Sequence, residues 1–378
     1  MARPSRKDAL ARARAFLERV PLLDGHNDLP YVVRHASPQG DLAGYDLTRV
    51  HQETDTDIPR LKEGRLGGQF WAAFVPTDVA DPCRFTFEQI ALIRRMNALH
   101  PEVFHPAFRA SDLGRARRLG KIASFIAVES SVGLTDSLEL LELWHALGVR
   151  YITLCHNETL DWIDSATDAP RHGGMTDFGR DLVRACNRLG ILVDLSHTSH
   201  QAQMQALDVS AAPVAITHAN AFAMVDHPRN AADAVLARMK ANGGIVCATF
   251  VPTFSNQATR DWLRGVCDEW GKGLPGNRWE LFAAHEAAVG PCPRATLTQV
   301  ADHLEYMAGR AGVAHIGIGS DFYGGHVPEG LESVARFPDF IAELMLRGWS
   351  ETNLARIASG NFLRVLRGVE KVARESKA

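Results

Sequence analysis

The sequence predicts an α/β protein built as a closed barrel of eight parallel strands, the (β/α)8 or TIM type. Three observations carry that expectation. Short, β-branched apolar runs recur eight times along the 378 residues, amphipathic stretches separate most of them, and the runs are apolar at nearly every position instead of alternating. Strands buried on both faces belong to parallel sheets lying under helices, and eight in succession fit a barrel. An open α/β sheet is the alternative. Barrels of this type span roughly 200 to over 400 residues, so 1–378 reads as one domain, with a short N-terminal helix and a C-terminal helical tail.

The opening stretch MARPSRKDALARARAFLERV alternates charged and apolar residues as a short amphipathic helix does. It has neither the continuous apolar run nor the cleavage site of a signal peptide. Strands are expected at 22–28 (LLDGHND), 67–75, 121–129, 149–156, 191–197, 213–218, 243–250 and 314–321. Helices are expected at 85–99, 137–147, 176–189, 200–208, 231–241 and 296–309. Thr176 with Asp177 suits a helix N-cap and Gly190 a helix stop. Residues 29–66, polar and Gly-rich, and 251–295, with Trp262, Trp270 and Trp279, read as long connections without a clean period. Such loops serve as lids, specificity loops or interfaces, and the three tryptophans suit a lid or a homodimer contact.

Composition excludes several classes of function. Lys plus Arg number 41 against 44 Asp plus Glu, a net charge of −3 with no basic block, which argues against nucleic acid or an anionic membrane as partner. No run of 18 apolar residues exists to span a bilayer. Six cysteines without a CxxC spacing, in a chain with an ample core (46% hydrophobic), fit reduced thiols and a cytoplasmic location.

The chemistry collects at the strand ends. The first run closes on His26-Asn27-Asp28, the third on Glu129, the fourth on His156, the fifth on His197, the sixth on His218 and the eighth on Asp321. In a barrel those ends form one mouth, where active sites are built. His26 and Asp28 stand at i and i+2, one face of a strand, so both can reach one ion. Neutral imidazoles suit zinc, and carboxylates can bridge two ions. Any one of these histidines alone is more simply a core imidazole; His197 and His218 together with the HxD pair and Glu129 make a metal-ligand set. Glu129 follows the apolar IASFIAV, where an unpaired carboxylate is expensive. None of the seven lysines stands at a C-terminal strand end, so a bridge between two metals falls to Glu129; a salt bridge across the mouth is its alternative role.

Asp321, in GIGSDFYGG, suits a proton carrier that takes a proton from metal-activated water and delivers it to a leaving amine. His156 suits oxyanion stabilisation. Arg229, in DHPRN, offers a fork for a substrate carboxylate, with a surface arginine beside a proline as the plain alternative. There is no GxSxG elbow, no P-loop and no dinucleotide fingerprint. Cys247 reads as a core residue, and His35, His51, His100, His105, His172 and His303 as solvated.

The same residues carry a resemblance to the membrane (renal) dipeptidase family, the M19 zinc peptidases, of the soluble bacterial type. DGHNDLP at 24–30, RYITLCHN at 150–157, NRLGILVDLSHTS at 187–199, THANAF with DHPRN between 217 and 230, GIGSDF at 317–322 and SGNFLRVL at 359–366 look like that family's motifs, in order, over about 20–368. The resemblance implies an amidohydrolase-like barrel with two zinc ions per chain: His26 and Asp28 on one, His197 and His218 on the other, and Glu129 bridging. His156 and Arg229 would bind substrate and Asp321 would shuttle the proton. It implies dipeptide hydrolysis through a metal-bridging hydroxide, with tolerance for a D-residue at the C-terminal position. Three departures from the family pattern touch specificity: Ser130-Ser131 in place of two glycines, THA around His218, and Tyr323 where an aspartate is common. They keep open a metal-dependent amidohydrolase acting on an N-acyl amino acid, a lactam or a biosynthetic intermediate. A barrel that retains binding but not chemistry is the third reading.

Overall fold

Each of the eight apolar runs becomes a strand in the computed structural model, which describes residues 5–36, 42–52, 54–266, 278–322 and 327–377. The strands are β1 (Leu22–Asn27), β2 (Leu66–Phe74), β3 (Phe104–Pro106), β4 (Ile122–Glu129), β5 (Val149–Thr153), β6 (Leu192–Asp194), β7 (Ala215–Ile216), β8 (Ile245–Ala248) and β9 (Ile316–Ile318). All pairings are parallel, in the order β1-β2-β4-β5-β6-β7-β8-β9. The additional strand β3 lies beside Ile122–Ser124, the start of β4, which β5 leaves open because it pairs only from Ile126 onward. The barrel closes through the segment after β9: Asp321 N–H donates to the His26 carbonyl (3.2 Å) and Asp28 N–H to the Phe322 carbonyl (3.1 Å).

Alternation along the strands sorts residues between two cores. Leu23, Phe70, Phe125, Tyr151 and Leu192 fill the barrel, and their neighbours Leu22, Trp71, Ile126 and Ile152 pack under the outer helices. The C-terminal helix Asn361–Glu375 is more than a tail. Phe362 stacks on Phe70 at 5.1 Å, and Val365, Leu366 and Val369 continue the inner core, so this helix plugs the end of the barrel opposite the site. The N-terminal helix Arg6–Arg19 buries Ala9, Ala13, Phe16 and Leu17 and packs on helix Phe337–Leu346.

The six expected helices form with ends shifted by a few residues. Thr176 caps Asp177–Leu189 through Gly179 N–H, and Gly190 ends it at φ 85°, the left-handed geometry glycine adopts without strain. The two long connections hold short helices that periodicity does not reveal: Leu29–Ala36 and Ile58–Glu63 in the first, Pro252–Ser255, Gln257–Arg264 and Arg278–Val289 in the second. Local caps start two of them, Asp57 accepting from Arg60 N–H and Asn256 from Ala258 and Thr259 N–H. Four of them run only about one to two turns, too short to show a period, and Arg278–Val289, RWELFAAHEAAV, has no clean apolar stripe in its sequence. Trp262 spends its indole N–H on the Gly290 carbonyl (2.9 Å); Trp270 and the side chain of Trp279 lie outside the described residues. His303 corrects the expectation of a solvated side chain: it is buried, and its Nδ1 accepts the Ala221 N–H (3.1 Å). No helix among the described residues is long and apolar enough to cross a membrane.

Candidate active site

Parallel strands in register deliver their C-terminal ends to one mouth, and all eight residues singled out there lie in or just after strands or on a loop that reaches them. Glu129, the last residue of β4, stands at the centre. Its Oε2 lies 3.4 Å from His26 Nε2, and its Oε1 lies 3.0 Å from His197 Nε2, 3.8 Å from His218 Nε2 and 4.0 Å from His156 Nε2. One carboxylate thus faces two groups. His26 Nε2 is also 3.4 Å from Asp28 Oδ2 and 3.8 Å from Asp321 Oδ1, while His197 and His218 approach each other at 2.9 Å, Nε2 to Nε2. Two residues of the set adopt left-handed backbone, His197 (φ 68°) and Asp321 (φ 62°), as does Ser130 (φ 76°), next to Glu129. Non-glycine residues held there cost about 1–3 kcal/mol each and cluster at functional sites.

Burial sets the electrostatics. It pushes Asp28 up to about 6, with the Glu129 charge adding to the rise, and Asp321 up to about 6, against the pull of His26. His197 and His218 are held well below the usual histidine range, first by burial and then by neighbouring positive groups, Arg229 among them. Arg229 is 1% exposed, with its guanidinium carbon 5.4 Å from the Phe254 ring centroid. Burial lowers it to about 10, opposed by Asp321 and Glu129, so it stays charged at neutral pH. Its loop is pinned by Asn230, which donates to the Val225 and Phe254 carbonyls and accepts from Asn220 N–H. His156, three residues beyond β5, lies tilted against Phe74 and His197, with ring centroids 4.4 and 4.3 Å away.

The donor set fits a metal. Three groups can each gather ligand atoms around an ion: His26, Asp28 and Glu129; Glu129, His197 and His218; and His26, His218 and Asp321. His26 Nε2 and Asp28 Oδ1 are buried atoms with no hydrogen-bond partner, and leaving such atoms unsatisfied is costly unless a cation takes their lone pairs. Each ring's other nitrogen is occupied on the outer side: His26 Nδ1 by Tyr151 OH (2.7 Å), His197 Nδ1 by Asn157 Oδ1 (3.1 Å) and His218 Nδ1 by Thr217 Oγ1 (3.0 Å). Outer partners of this kind orient metal-binding histidines.

Nearly the whole chain aligns with known proteins. The model for the membrane dipeptidases, peptidase family M19, matches residues 10–378. The chain belongs to this family. Dipeptidase tcpJ of Claviceps purpurea is 37% identical over 94% of this chain and 78% of its own length, and Dipeptidase 3 of Mus musculus is 37% identical over 98% and 68%. Among solved structures, the probable dipeptidase PvdM from Pseudomonas aeruginosa shares the fold at a TM-score of 0.84 and 25% identity, covering 97% of this chain and 100% of that one. A metallo peptidase from Rhodobacter sphaeroides, liganded with a phosphinate mimic of the dipeptide L-Ala-D-Ala, shares the fold at a TM-score of 0.76 and 22% identity, over 93% of this chain and 99% of that one. This family member is therefore a hydrolase with the barrel architecture its sequence predicts.

The structure also places residues that sequence reasoning passed over. Asp24 accepts Ser320 N–H (2.7 Å), Ser320 Oγ–H (2.6 Å) and Gln69 Nε2 (2.8 Å), tying β1 to the turn that carries Asp321. Asp194 ties β5, β6 and β7 in the same way. Both are carboxylates inside apolar runs, so the burial-cost argument that singled out Glu129 would have found them. Of the departures from the family pattern, Ser131 is buried, donating to the Leu154 carbonyl and accepting Trp162 Nε1–H (2.9 Å), and Ser130 accepts Val132 N–H (3.4 Å). Ser131 therefore braces the loop after β4. Tyr323 lies outside the described residues.

Proposed function

We propose that this protein is a binuclear zinc dipeptidase that tolerates a D-residue at the C-terminal position. The observation that carries the reading is Glu129, whose Oε2 faces His26 of the His26–Asp28 pair and whose Oε1 faces the two imidazoles His197 and His218. His26 and Asp28 would hold one zinc, His197 and His218 the other, with Glu129 shared between them. Zinc bound there supplies Lewis acidity, acidifying water and polarising the scissile carbonyl.

The chain's own residues do the rest. Arg229 binds the terminal carboxylate of the dipeptide from a buried position, where a charged fork is strong. His156 Nε2–H donates to the carbonyl oxygen as negative charge develops on it. Asp321, raised to about 6 by burial, accepts a proton from the attacking water and returns it to the amine nitrogen, which leaves neutral. The D-residue tolerance rests on the family resemblance. The buried thiols of Cys155, Cys186 and Cys247 support a cytoplasmic location, where thiols stay reduced.

Zinc-reconstituted protein assayed on a panel of L–L, L–D and Gly–D dipeptides tests the reading. Turnover that includes L–D members is expected. Turnover of N-acyl amino acids or lactams, with none of any dipeptide, would overturn the substrate assignment.

A further inference from the structure

Asp194 closes β6, is fully buried and is outside the proposed ligand set. Five donors converge on it. Oδ1 accepts Ser196 N–H (3.2 Å), Ser196 Oγ–H (2.9 Å) and Thr217 N–H (2.8 Å); Oδ2 accepts Thr153 Oγ–H (2.6 Å) and Thr217 Oγ–H (2.8 Å). A carboxylate only accepts, so the single hydroxyl proton of Thr217 is committed to Asp194. Thr217 Oγ1 then presents only lone pairs to its remaining neighbours, His218 Nδ1 at 3.0 Å and Ser196 Oγ at 3.4 Å. The neutral ring of His218 must carry its proton on Nδ1, leaving the Nε2 lone pair towards Glu129 and His197.

We infer that Asp194 is a positioning residue that sets the direction of the relay Asp194–Thr217–His218 and so holds His218 as the tautomer able to bind a metal. The consequence for catalysis rests on the zinc reading; the place of the proton is a property of the metal-free chain. The other two histidines are set differently. His26 Nδ1 meets Tyr151 OH, which donates to the Gly25 carbonyl (3.0 Å), an acceptor that no side-chain change reverses. His197 Nδ1 meets the Asn157 amide oxygen directly. Only the His218 relay ends on a side-chain carboxylate, so one near-isosteric substitution can invert it. In Asp194→Asn the amide oxygen must stay at the Oδ1 position, because two of the three donors there are backbone N–H groups that cannot turn. The NH2 then falls at Oδ2 and donates to the Thr153 and Thr217 hydroxyls. Thr217 turns its proton to His218 Nδ1, and the His218 proton moves to Nε2, the atom a metal needs.

The test uses the full chain, 15N-labelled at histidine and stripped of metal with a chelator, in long-range 1H–15N spectra at neutral pH. His218 is assigned by its loss in His218→Gln. Wild type should show His218 protonated at Nδ1, and Asp194→Asn should show it at Nε2 with the His26 pattern unchanged. Zinc titration should find one of the two sites weakened by about 10–100-fold, the usual effect of removing an outer partner. Thr217→Ser keeps the hydroxyl and should retain the wild-type tautomer and affinity. Should Asp194→Asn fail to fold, Thr217→Val breaks the relay instead and should leave His218 with a mixed tautomer. A His218 that keeps its proton wholly on Nδ1 in a folded Asp194→Asn, or in Thr217→Val where that variant replaces it, overturns the relay. A tautomer that switches between wild type and Asp194→Asn, in a protein whose wild type takes up no zinc, overturns the zinc reading and leaves the relay standing.

Discussion

Gly319 follows β9, two residues before Asp321, and packs against the backbone of Thr217. A methyl group at its Cβ position would overlap the Thr217 carbonyl oxygen, and it would stand 2.9 Å from that carbonyl carbon and 3.1 Å from Cys247 Cβ. Carbon pairs rest at about 3.5–4.0 Å. The obstacles are backbone and a Cβ, so no rotamer change relieves them and β7 and β9 must part. Overpacking costs about 1–3 kcal/mol, and a backbone obstacle puts Gly319→Ala near the upper end, about 3 kcal/mol. The same displacement moves Thr217, and with it His218, away from Asp321; about 1 Å of misplacement costs roughly 10²-fold in turnover. Urea midpoints, zinc content and kcat measure the three effects. The control is Gly309→Ala in the exposed part of helix Leu297–Ala311, where an added Cβ meets nothing within 4 Å. It should gain about 0.5–1 kcal/mol with kcat unchanged. A Gly319→Ala protein with the wild-type midpoint and kcat would refute the packing argument.

Asp321→Asn should lower kcat by about 10²–10⁴-fold, the share of general acid–base catalysis, with zinc content unchanged. Loss of zinc would instead make Asp321 a ligand beside His26 and His218, a role its position also allows. Chelation should lower the melting temperature, because zinc at a thousand times its Kd adds about 4 kcal/mol; superimposable melts with and without chelator would contradict the metal site. Burial lowers His303 to about 4 from 6.5, so the fold prefers the neutral ring. Its contribution is present above pH 6.5 and is lost as pH falls towards 4, about 3 kcal/mol in all. Urea midpoints across that range should fall more steeply in wild type than in His303→Gln, and equal slopes would count against it.

Much of the site is legible in the sequence because strand ends are local features. An apolar run that stops on His26, Glu129, His197 or His218 exposes both the strand and the chemistry at its tip, and parallel topology brings the tips together whatever the loops do. Most helices of 29–66 and 251–295 are not legible, since a turn or two leaves no period, and the longer Arg278–Val289 has no clean apolar stripe in its sequence. His303 misleads for a related reason. A histidine on an amphipathic helix looks solvated until the neighbouring Ala221 N–H, 82 residues away in the chain, is seen to need an acceptor.

The sequence by itself determined the family, the eight strands and the strand-end side chains that meet at the candidate site, because those depend on residue type and spacing along one strand. Only the tertiary structure decided which oxygen of Glu129 faces which histidine, that Asp24 and Asp194 brace the two sides of the mouth, and that Thr217 stands between Asp194 and His218. Those follow from hydrogen bonds between residues distant in sequence, whose directions are fixed when β5, β6 and β7, or β1 and the turn after β9, come into register.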